Sequence, residues 1–409
     1  MPEFEVVIVG AGPAGCHCAR LLAKSGYQVL LIEQCENFYQ NNFSSAATPL
    51  ETLTTFDLPE NVVASFWQNL TIITSNVKQS WTSQTTLGAV FDFAKLREFL
   101  AQEVELNGGK VWLGHRYIKY WQEDNKTLVL IKPKNSEQIS VLTKVLVDAT
   151  GYARAVMYEK KSDKPEFLKG TGIEYLIEVN EQDYQKYSNS LIFFMGYKWI
   201  PKGYSWIFPM NDNQLKVGSA WLDRPHKLIE RVNPLKDYIN LILTDYLKLD
   251  NYKILDVHGS ILEYSIGLND LYYRENVIAI GDAVSTVNLL GGEGIRHGMK
   301  GAEIADKYIQ DYLQGRIKNF QFYQKEMHRD FAYKWNLSDQ ISRRVYLEYP
   351  DEEIDRKVFY LKYLITEEII DILFNYKFEK VTQLLKRYSL SKFNLLIKAL
   401  KKLILGFIG

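Results

Sequence analysis

The sequence predicts an α/β protein in which a parallel sheet flanked by helices is interrupted by an antiparallel sheet and followed by a helical C-terminal region. Three observations lead to this fold class. Short apolar runs, typical of strands buried on both faces, recur at 4–9, 28–33, 145–147 and 276–280. Alternating, aromatic-rich segments occupy 172–222. Beyond residue 317 the pattern is helical.

The order of these segments predicts a divided domain. At ~150 residues per domain, a chain of 409 residues is expected to form two or three domains. Residues 1–170 and 270–313 share one strand type and are expected to fold together. Residues 171–269 form an inserted β-sheet domain, and residues 314–409 form a helical region with a basic amphipathic end.

Composition excludes several classes of protein. The 49 basic and 49 acidic side chains give no net charge, which argues against a general nucleic-acid binder. Three cysteines are too few for a disulfide framework or a four-thiolate metal site, and the six histidines lack ligand spacing. No metal is therefore predicted. With no recognisable leader and no run of about 18 apolar residues, we expect a cytoplasmic protein.

The first chemical motif is a glycine-rich turn between the first strand and the first helix. Gly10 permits the tight turn, Gly12 lets the backbone approach a pyrophosphate, and Gly15 lets helix and strand pack closely. Ala14 belongs to the same turn, just before the predicted helix, whose free N–H groups attract anions. Glu33 closes the next strand, where a carboxylate accepts hydrogen bonds from ribose hydroxyls. The alternative is a chance glycine-rich turn, but strand, helix and acid all stand where the motif requires them.

Two further motifs follow buried strands. Asp148 and Gly151 belong to a small-residue turn that would approach the dinucleotide. Gly281 and Asp282 follow the strand at 276–280, where an aspartate is suited to bind the hydroxyls of a ribityl chain. The alternative for Asp282 is a loop aspartate that caps a turn.

The three motifs, in this order and spacing, resemble the FAD-binding fold of the p-hydroxybenzoate-hydroxylase-like flavoproteins. The resemblance covers about residues 1–313 and implies a Rossmann-like domain with FAD as cofactor. It also implies that Arg97, on the helix after the long loop, contacts the FAD phosphate region. The alternative for Arg97 is an ordinary surface arginine.

A glycine-rich helix start follows the third motif. Gly292, Gly294 and Ile295 open a helix, and helix N-termini favour anions. Reduced flavin carries negative charge near N1 and the C2 carbonyl, so backbone N–H groups here would stabilise it.

An aromatic segment supplies the candidate substrate site. The order Tyr204, Trp206, Phe208 and Pro209, followed by Gly218, closely resembles the substrate motif of geranylgeranyl reductases. Alternation places the three rings on one face of a strand. An ordinary aromatic core is the alternative interpretation. A polyprenyl chain has only apolar surface, and its burial is worth ~0.8 kcal/mol per CH₂.

The resemblance implies an FAD-dependent oxidoreductase that reduces isolated C=C bonds of a prenyl lipid with hydride from reduced flavin. No proton donor is assigned, and His297 is the only histidine near the flavin-side helix start. The long loop departs from the family, because residues 41–48 lack its Cys-Gly-Gly stretch. The alternatives are a monooxygenase of an aromatic or polyene substrate, and a non-redox cyclase or binding protein. No second glycine fingerprint is present, so NAD(P)H or an electron-donor protein such as ferredoxin would dock transiently.

The C-terminal residues form a basic amphipathic pattern. From Phe393 onward the apolar residues occupy one helical arc and the lysines the opposite side. Such a helix suits a membrane interface, which predicts peripheral association with a membrane surface. A helix docked on the body with its lysines outward is the equal alternative.

Overall fold

The computed structural model describes residues 1–123, 126–158, 160, 162, 164–383 and 386–389. In chain order, its strands are β1 Glu3–Val9, β2 Val29–Glu33, β3 Ala47–Pro49, β4 Val63–Trp67, β5 Asn69–Ile73, β6 Lys78–Thr82, β7 Gly88–Phe91, β8 Lys110–Leu113, β9 His115–Glu123, β10 Lys126–Pro133, β11 Ile139–Asp148, β12 Leu168–Glu178, β13 Ser190–Gly196, β14 Ile200–Pro209, β15 Gln214–Leu222, β16 Lys253–Tyr264, β17 Tyr273–Arg274 and β18 Val277–Ala279. The helices are α1 Pro13–Lys24, α2 Glu51–Thr55, α3 Phe93–Leu106, α4 Glu181–Gln185, α5 Leu235–Leu241, α6 Ile295–Leu313, α7 Gln321–Arg343, α8 Asp351–Tyr360 and α9 Thr366–Leu373.

The first sheet has eight strands. Its main path is β17-β18-β11-β1-β2-β8, and β10 and β9 extend from β11 as an antiparallel meander. β1 runs parallel to both β2 and β11, and β11 runs parallel to β18. The turns after β1, β11 and β18 therefore emerge at one edge of the sheet, where ligands bind in open parallel sheets.

Helices cover the faces of this sheet. α1 packs against both α3 and α6, and its residues Cys16 and Cys18 are fully buried. A Cβ at Gly15 would lie only 2.0 Å from the carbonyl oxygen of Gly10, so the glycine is what brings α1 this close to the turn after β1. The fold class predicted from the sequence is confirmed.

The second sheet has seven strands in the order β16-β12-β15-β14-β13-β5-β6. All neighbours are antiparallel except β13 and β5, which are parallel. Strands β5 and β6 differ from the domain prediction, which assigned all of residues 1–170 to the first domain. They extend the second sheet because β5 supplies a ladder partner for β13, with Leu70, Ile72 and Ile73 buried. The strands of a smaller sheet, β3-β7-β4, flank β5 and β6 in the chain.

The C-terminal helices pack on both sheets. α7 contacts α6, whereas α8 contacts β6 and β13. Trp81 Nε1 donates to the carbonyl of Leu364 at 3.0 Å, and the Asn76 side chain donates to Asp355 at 2.8 Å. The region after residue 313 thus closes one side of the second sheet.

The predicted basic amphipathic end lies outside the described residues. Among the residues that are described, no helix combines the length and apolarity needed to cross a bilayer. In that same part of the chain, no three His, Cys, Asp or Glu side chains converge closely enough to hold a metal ion.

Candidate active site

A cleft of about 1020 Å³ runs along the edge of the first sheet where the glycine turns emerge. Ligand pockets are usually about 300–1,000 Å³, so this cleft suits a large ligand. Most of the predicted cofactor residues line it: Gly10, Gly12, Ala14, Glu33, Arg97, Gly151, Gly281, Asp282, Gly292, Gly294 and Ile295.

The first glycine turn forms the floor of the cleft. Gly10 has a φ of +104°, and a Cβ there would lie 2.4 Å from the carbonyl oxygen of Ala149. A Cβ at Gly12 would meet nothing within 4 Å, so the space above it belongs to the cleft. Gly12 is also the N-cap of α1 and supplies no side-chain cap. The first N–H groups of α1 are therefore left for an anion in the cleft.

Glu33 and Arg97 border the same cleft. The carboxylate of Glu33 accepts hydrogen bonds from the backbone N–H groups of Ala11 at 2.9 Å and Cys35 at 3.0 Å. Arg97 donates to the carbonyl of Asn41 at 2.6 Å, and its guanidinium lies 4.3 Å from the ring centre of Phe93. Arg97 thus holds the long loop in place from a buried position, which rules out the surface-arginine alternative.

Gly15 and Asp148, both predicted to bind the cofactor, do not line the cleft. Gly15 serves the contact between α1 and the first turn described above. Asp148 is fully buried, and its carboxylate accepts backbone N–H groups from Thr150 at 3.0 Å, Val156 at 3.0 Å and Met157 at 2.9 Å. These bonds use both carboxylate oxygens, so Asp148 shapes the turn after β11.

Asp282 and the start of α6 form the far end of the cleft. Asp282 is half-buried and accepts the Thr286 hydroxyl at 3.2 Å, and burial raises the pKa of its carboxyl. Gly294 leaves room beside this carboxylate, since a Cβ there would lie 3.4 Å from Asp282 Oδ1. α6 starts at Ile295 without a side-chain cap and is 19 residues long. A polyol would satisfy Asp282, and an anion would be stabilised at α6.

These features fit FAD along the length of the cleft. The open space above Gly12 suits a pyrophosphate, Glu33 suits the ribose, Asp282 suits the ribityl hydroxyls, and the start of α6 suits the reduced ring.

An apolar pocket adjoins this end of the cleft and shares Ser44, Gly292, Gly294 and Ile295 with it. Its other walls are largely aromatic and aliphatic. They come from the second sheet and the C-terminal region: Ile72, Phe193, Met195, Tyr204, Trp206, Phe208, Tyr346, Leu373, Phe374 and Tyr376. Tyr204, Trp206 and Phe208 share one face of β14, as their alternation predicts.

A row of side chains crosses the second sheet beneath this pocket. Strand register places His258 of β16 opposite Glu174 of β12, Glu174 opposite Gly218 of β15, and Gly218 opposite Trp206 of β14. A Cβ at Gly218 would lie 2.1 Å from Trp206 Cζ2. The indole therefore lies across Gly218, and its Nε1 donates to Glu174 Oε2 at 2.7 Å.

Two of the predicted substrate residues, Gly218 and Pro209, do not line the apolar pocket themselves. Gly218 touches the pocket only by making room for Trp206. Pro209 ends β14 outside the pocket, and its carbonyl accepts the Ser65 hydroxyl at 2.8 Å. Proline has no N–H to donate to a neighbouring strand, and at the end of a strand no such hydrogen bond is needed. Pro209 therefore serves to end β14.

A second pocket is also lined by Tyr204 and Trp206. It contains Glu174 and His258, and it shares Ser44 and Gly292 with the cleft. Burial alone would raise the pKa of the Glu174 carboxyl, but the nearby imidazole of His258 and the charge of Lys216 outweigh burial and lower that pKa.

Glu174, Lys216 and His258 were not foreseen from the sequence. The available signal was period-2 alternation, since Lys216 shares its face of β15 with Gly218.

Side-chain hydrogen bonds hold the turn at residues 290–294 in place. Tyr204 donates to the carbonyl of Gly291 at 2.8 Å, and Tyr346 donates to that of Leu290 at 2.7 Å. Glu293 accepts two bonds from Arg296, at 2.8 and 3.0 Å. Burial alone would raise the pKa of the Glu293 carboxyl, but the charges and hydrogen bonds of His297 and Arg296 lower it to about 2.

His297, the histidine considered as a proton donor, packs behind this turn. Its ring centre lies 4.7 Å from that of Trp335, and Nε2 lies 3.3 Å from Glu293. It lines neither pocket nor the cleft.

Comparisons with known proteins agree with this geometry. The family described as FAD dependent oxidoreductase matches residues 5–158. A digeranylgeranylglycerophospholipid reductase of Haloferax volcanii is 28% identical over 322 residues, covering 74% of this chain and 75% of the relative. Its namesake from Methanocaldococcus jannaschii is 26% identical, covering 86% and 89%. The crystal structure of a geranylgeranyl bacteriochlorophyll reductase-like protein from Thermoplasma acidophilum superposes with a TM-score of 0.80 at 18% identity, covering 94% of this chain and 100% of that one.

Proposed function

The chain is an FAD-dependent oxidoreductase of the geranylgeranyl reductase type, and from this premise we propose that it saturates isolated C=C bonds of a prenyl lipid. The observation that carries the proposal is the contact between the aromatic pocket and the cofactor cleft. The two cavities share Gly292, Gly294 and Ile295 at the start of α6. A chain in the apolar pocket would therefore reach the redox end of the cleft.

The residues of this chain have separate tasks in the reaction. Gly12 and the start of α1 would bind the pyrophosphate, and Asp282 would accept hydrogen bonds from the ribityl hydroxyls. The start of α6 favours negative charge on the reduced ring. When bound and reduced, FAD supplies the hydride. The aromatic walls orient the prenyl chain and exclude water from it.

Burial of the substrate drives its binding. Each CH₂ removed from water contributes ~0.8 kcal/mol, so a prenyl chain gains most of its affinity from length. The rings of Tyr204, Trp206 and Phe208 offer a rigid apolar surface with little entropy to lose. We therefore expect affinity to rise with each isoprene unit until the pocket is filled.

Anaerobic single turnover tests the proposal. FAD bound to the purified protein is reduced with dithionite and mixed with a panel of prenyl lipids, followed by mass spectrometry. The expected result is flavin reoxidation without oxygen and a gain of two hydrogens per bond. An oxygen requirement with an added oxygen atom would instead indicate a monooxygenase, and an unchanged mass would indicate a cyclase or binding protein.

The source of electrons is also a proposal. We expect NAD(P)H or a carrier protein such as ferredoxin to dock transiently and reduce the bound FAD. Stopped-flow reduction with each donor, compared at equal concentration, distinguishes the two. Failure of both would contradict this expectation.

Contact with a membrane surface is proposed from the basic amphipathic sequence after residue 390. A lipid substrate gives such contact a purpose, since the enzyme would collect it from the bilayer. Deletion of residues 390–409 should release the protein from anionic liposomes in a co-sedimentation assay. Unchanged binding would contradict it.

A further inference from the structure

Three consecutive residues of the long loop are held by the second sheet. Phe43 stacks on the imidazole of His258, with ring centres 4.2 Å apart. The carbonyl of Ser44 accepts a hydrogen bond from the ammonium of Lys216. The Ser45 hydroxyl donates to Glu174 at 2.6 Å. The loop is therefore fixed at the place where the cleft and both pockets meet, because Ser44 lines all three.

Behind Ser45, titratable groups continue towards solvent. Glu174 Oε1 lies 3.4 Å from His258 Nε2, and His258 Nδ1 lies 3.4 Å from a carboxylate oxygen of Asp256. The exposed fraction of the side chain rises from 4% at Glu174 to 10% at His258 and 48% at Asp256. The four groups thus form a series from solvent to the wall of the apolar pocket, in which Ser45 and Glu174 are joined by a hydrogen bond and the two contacts of His258 are 3.4 Å approaches.

The proposed reaction needs such a connection. Saturating one double bond forms two C–H bonds: one takes a hydride, whose electron pair leaves the reduced flavin oxidised, and the other takes a proton. The described walls of the apolar pocket carry one carboxyl group, Glu293, which Arg296 holds as a carboxylate. They also carry three tyrosine hydroxyls, which donate to protein acceptors and whose pKa values burial raises: Tyr204, Tyr346 and Tyr376. The proton must enter from elsewhere.

We infer that Asp256, His258, Glu174 and Ser45 form the path by which the proton of this reduction enters from solvent. This inference rests on the proposed function. Glu174 rests as a carboxylate, takes up a proton from the solvent side and gives it to Ser45, as the Ser45 hydroxyl gives its own proton to substrate at the pocket wall. His258 and Asp256 are positioning residues that act through Glu174, and each proton given to substrate is replaced from solvent.

The surrounding charges suit this role. Lys216 is buried and compensates the charge of Glu174, while burial lowers the pKa of the Lys216 ammonium. Tyr204 contributes a neutral hydroxyl near Glu174. Asp256 faces His258 from the side opposite to Glu174, so a protonated imidazole would have a carboxylate on each side.

The main test is anaerobic reoxidation of reduced flavin by the lipid that the wild type reduces, measured across pH. Glu174→Gln keeps the shape of the side chain but holds no transferable proton, and should slow reoxidation at least about 100-fold at every pH. His258→Gln should slow it near neutral pH and recover at acidic pH, where Glu174 is protonated directly from water. Glu178→Gln, the same change at the exposed end of β12, should leave the rate unchanged.

Two further measurements distinguish loss of the proton path from a folding defect. Ser45→Ala, on the loop rather than in the sheet, should slow reoxidation, and Ser45→Thr, which keeps the hydroxyl, should restore it. In protein without cofactor, ¹³C-carboxyl NMR should report a raised pKa for Glu174 in His258→Gln, because the imidazole that helps to lower it is gone.

The outcomes separate the two proposals. If wild-type enzyme is not reoxidised by any prenyl lipid, the proposed function fails and the path falls with it. If the wild type is reoxidised and Glu174→Gln is equally fast, only the path is overturned. A loss in His258→Gln that does not recover at acidic pH would likewise overturn it, because the histidine would then act structurally.

Discussion

The cofactor cleft and the apolar pocket meet at residues 292–295 but differ in the residues that form them. The cleft lies at the ends of parallel strands, and at some of its glycines, such as Gly10 and Gly281, an added Cβ would lie within 3 Å of a neighbouring atom. The pocket is formed by large side chains from strands and helices far apart in the chain. Backbone yields little to an added methyl group, whereas side chains adjust. Substitutions should therefore be more damaging in the cleft.

Gly10→Ala should have the largest effect. Its Cβ would lie 2.4 Å from a backbone carbonyl oxygen in a left-handed conformation, so we expect a loss of more than about 4 kcal/mol in the free energy of unfolding. Gly26→Ala is the matched control, with φ +85° and nothing within 4 Å, and should cost about 1 kcal/mol. Urea unfolding measures the stability of both variants. Equal losses would mean that the close contact at Gly10 adds nothing to the cost of a left-handed backbone.

Arg296→Gln tests the junction of the two regions. It leaves the buried carboxylate of Glu293 without its bidentate partner and should cost about 3 kcal/mol of stability. Removing both charges, in Glu293→Gln with Arg296→Gln, should cost less than the single change. A larger loss in the double variant would contradict a role limited to charge pairing.

Stability should also depend on pH through Glu293. Its carboxyl has a folded pKa of about 2 against an ordinary value of 4.5. A lowered folded pKa contributes stability that is present above pH 4.5 and is lost as pH falls from there towards 2. Unfolding free energies between pH 6 and 3 should decline in the wild type and decline less in Glu293→Gln. Parallel curves would contradict the assignment.

Gly218→Ala probes the pocket. The added Cβ would displace the Trp206 indole, for a cost of about 2 kcal/mol in stability and weaker binding of the lipid, with FAD affinity unchanged. Gly170→Ala, where the nearest atom is 3.5 Å from the Cβ, is the control. Adding Trp206→Phe to Gly218→Ala should give less than the sum of the two losses. Additive losses would mean that the glycine serves something other than the indole.

Tyr204→Phe should have the smallest effect. It removes the hydrogen bond to the carbonyl of Gly291 and should weaken FAD binding by about 1 kcal/mol, roughly fivefold. Flavin fluorescence titration measures the change. Tyr39→Phe, at an exposed tyrosine, should bind FAD as the wild type does. Unaltered FAD affinity in Tyr204→Phe would mean that this pocket residue does not support the cofactor cleft.

The same contrast explains how much was readable from the sequence. Gly10, Gly12 and Asp282 were predictable because each turn is a local backbone requirement with its own residue pattern. Asp148 was misassigned because an aspartate after a strand satisfies its own turn as readily as it faces a ligand.

The pocket was only half predictable. The alternation at Tyr204 and Trp206 gave their common face, but Tyr346 and Tyr376 come from segments whose docking depends on tertiary packing. The meeting of Glu174 and His258 depends on strand register, which has no signature in either strand alone. The pairing of β5 with β13 likewise joins segments far apart in the chain, so the sequence offered no sign that β5 and β6 extend the second sheet.

The parallel pairing of β13 with β5 has a consequence for biosynthesis. Asn69 and Asn189, at the start of the paired segments, stand 120 positions apart. While the intervening chain is translated, the β5–β6 hairpin waits with an open, apolar edge, and such edges invite aggregation. This hairpin is where a nascent chain of this protein would most need a chaperone.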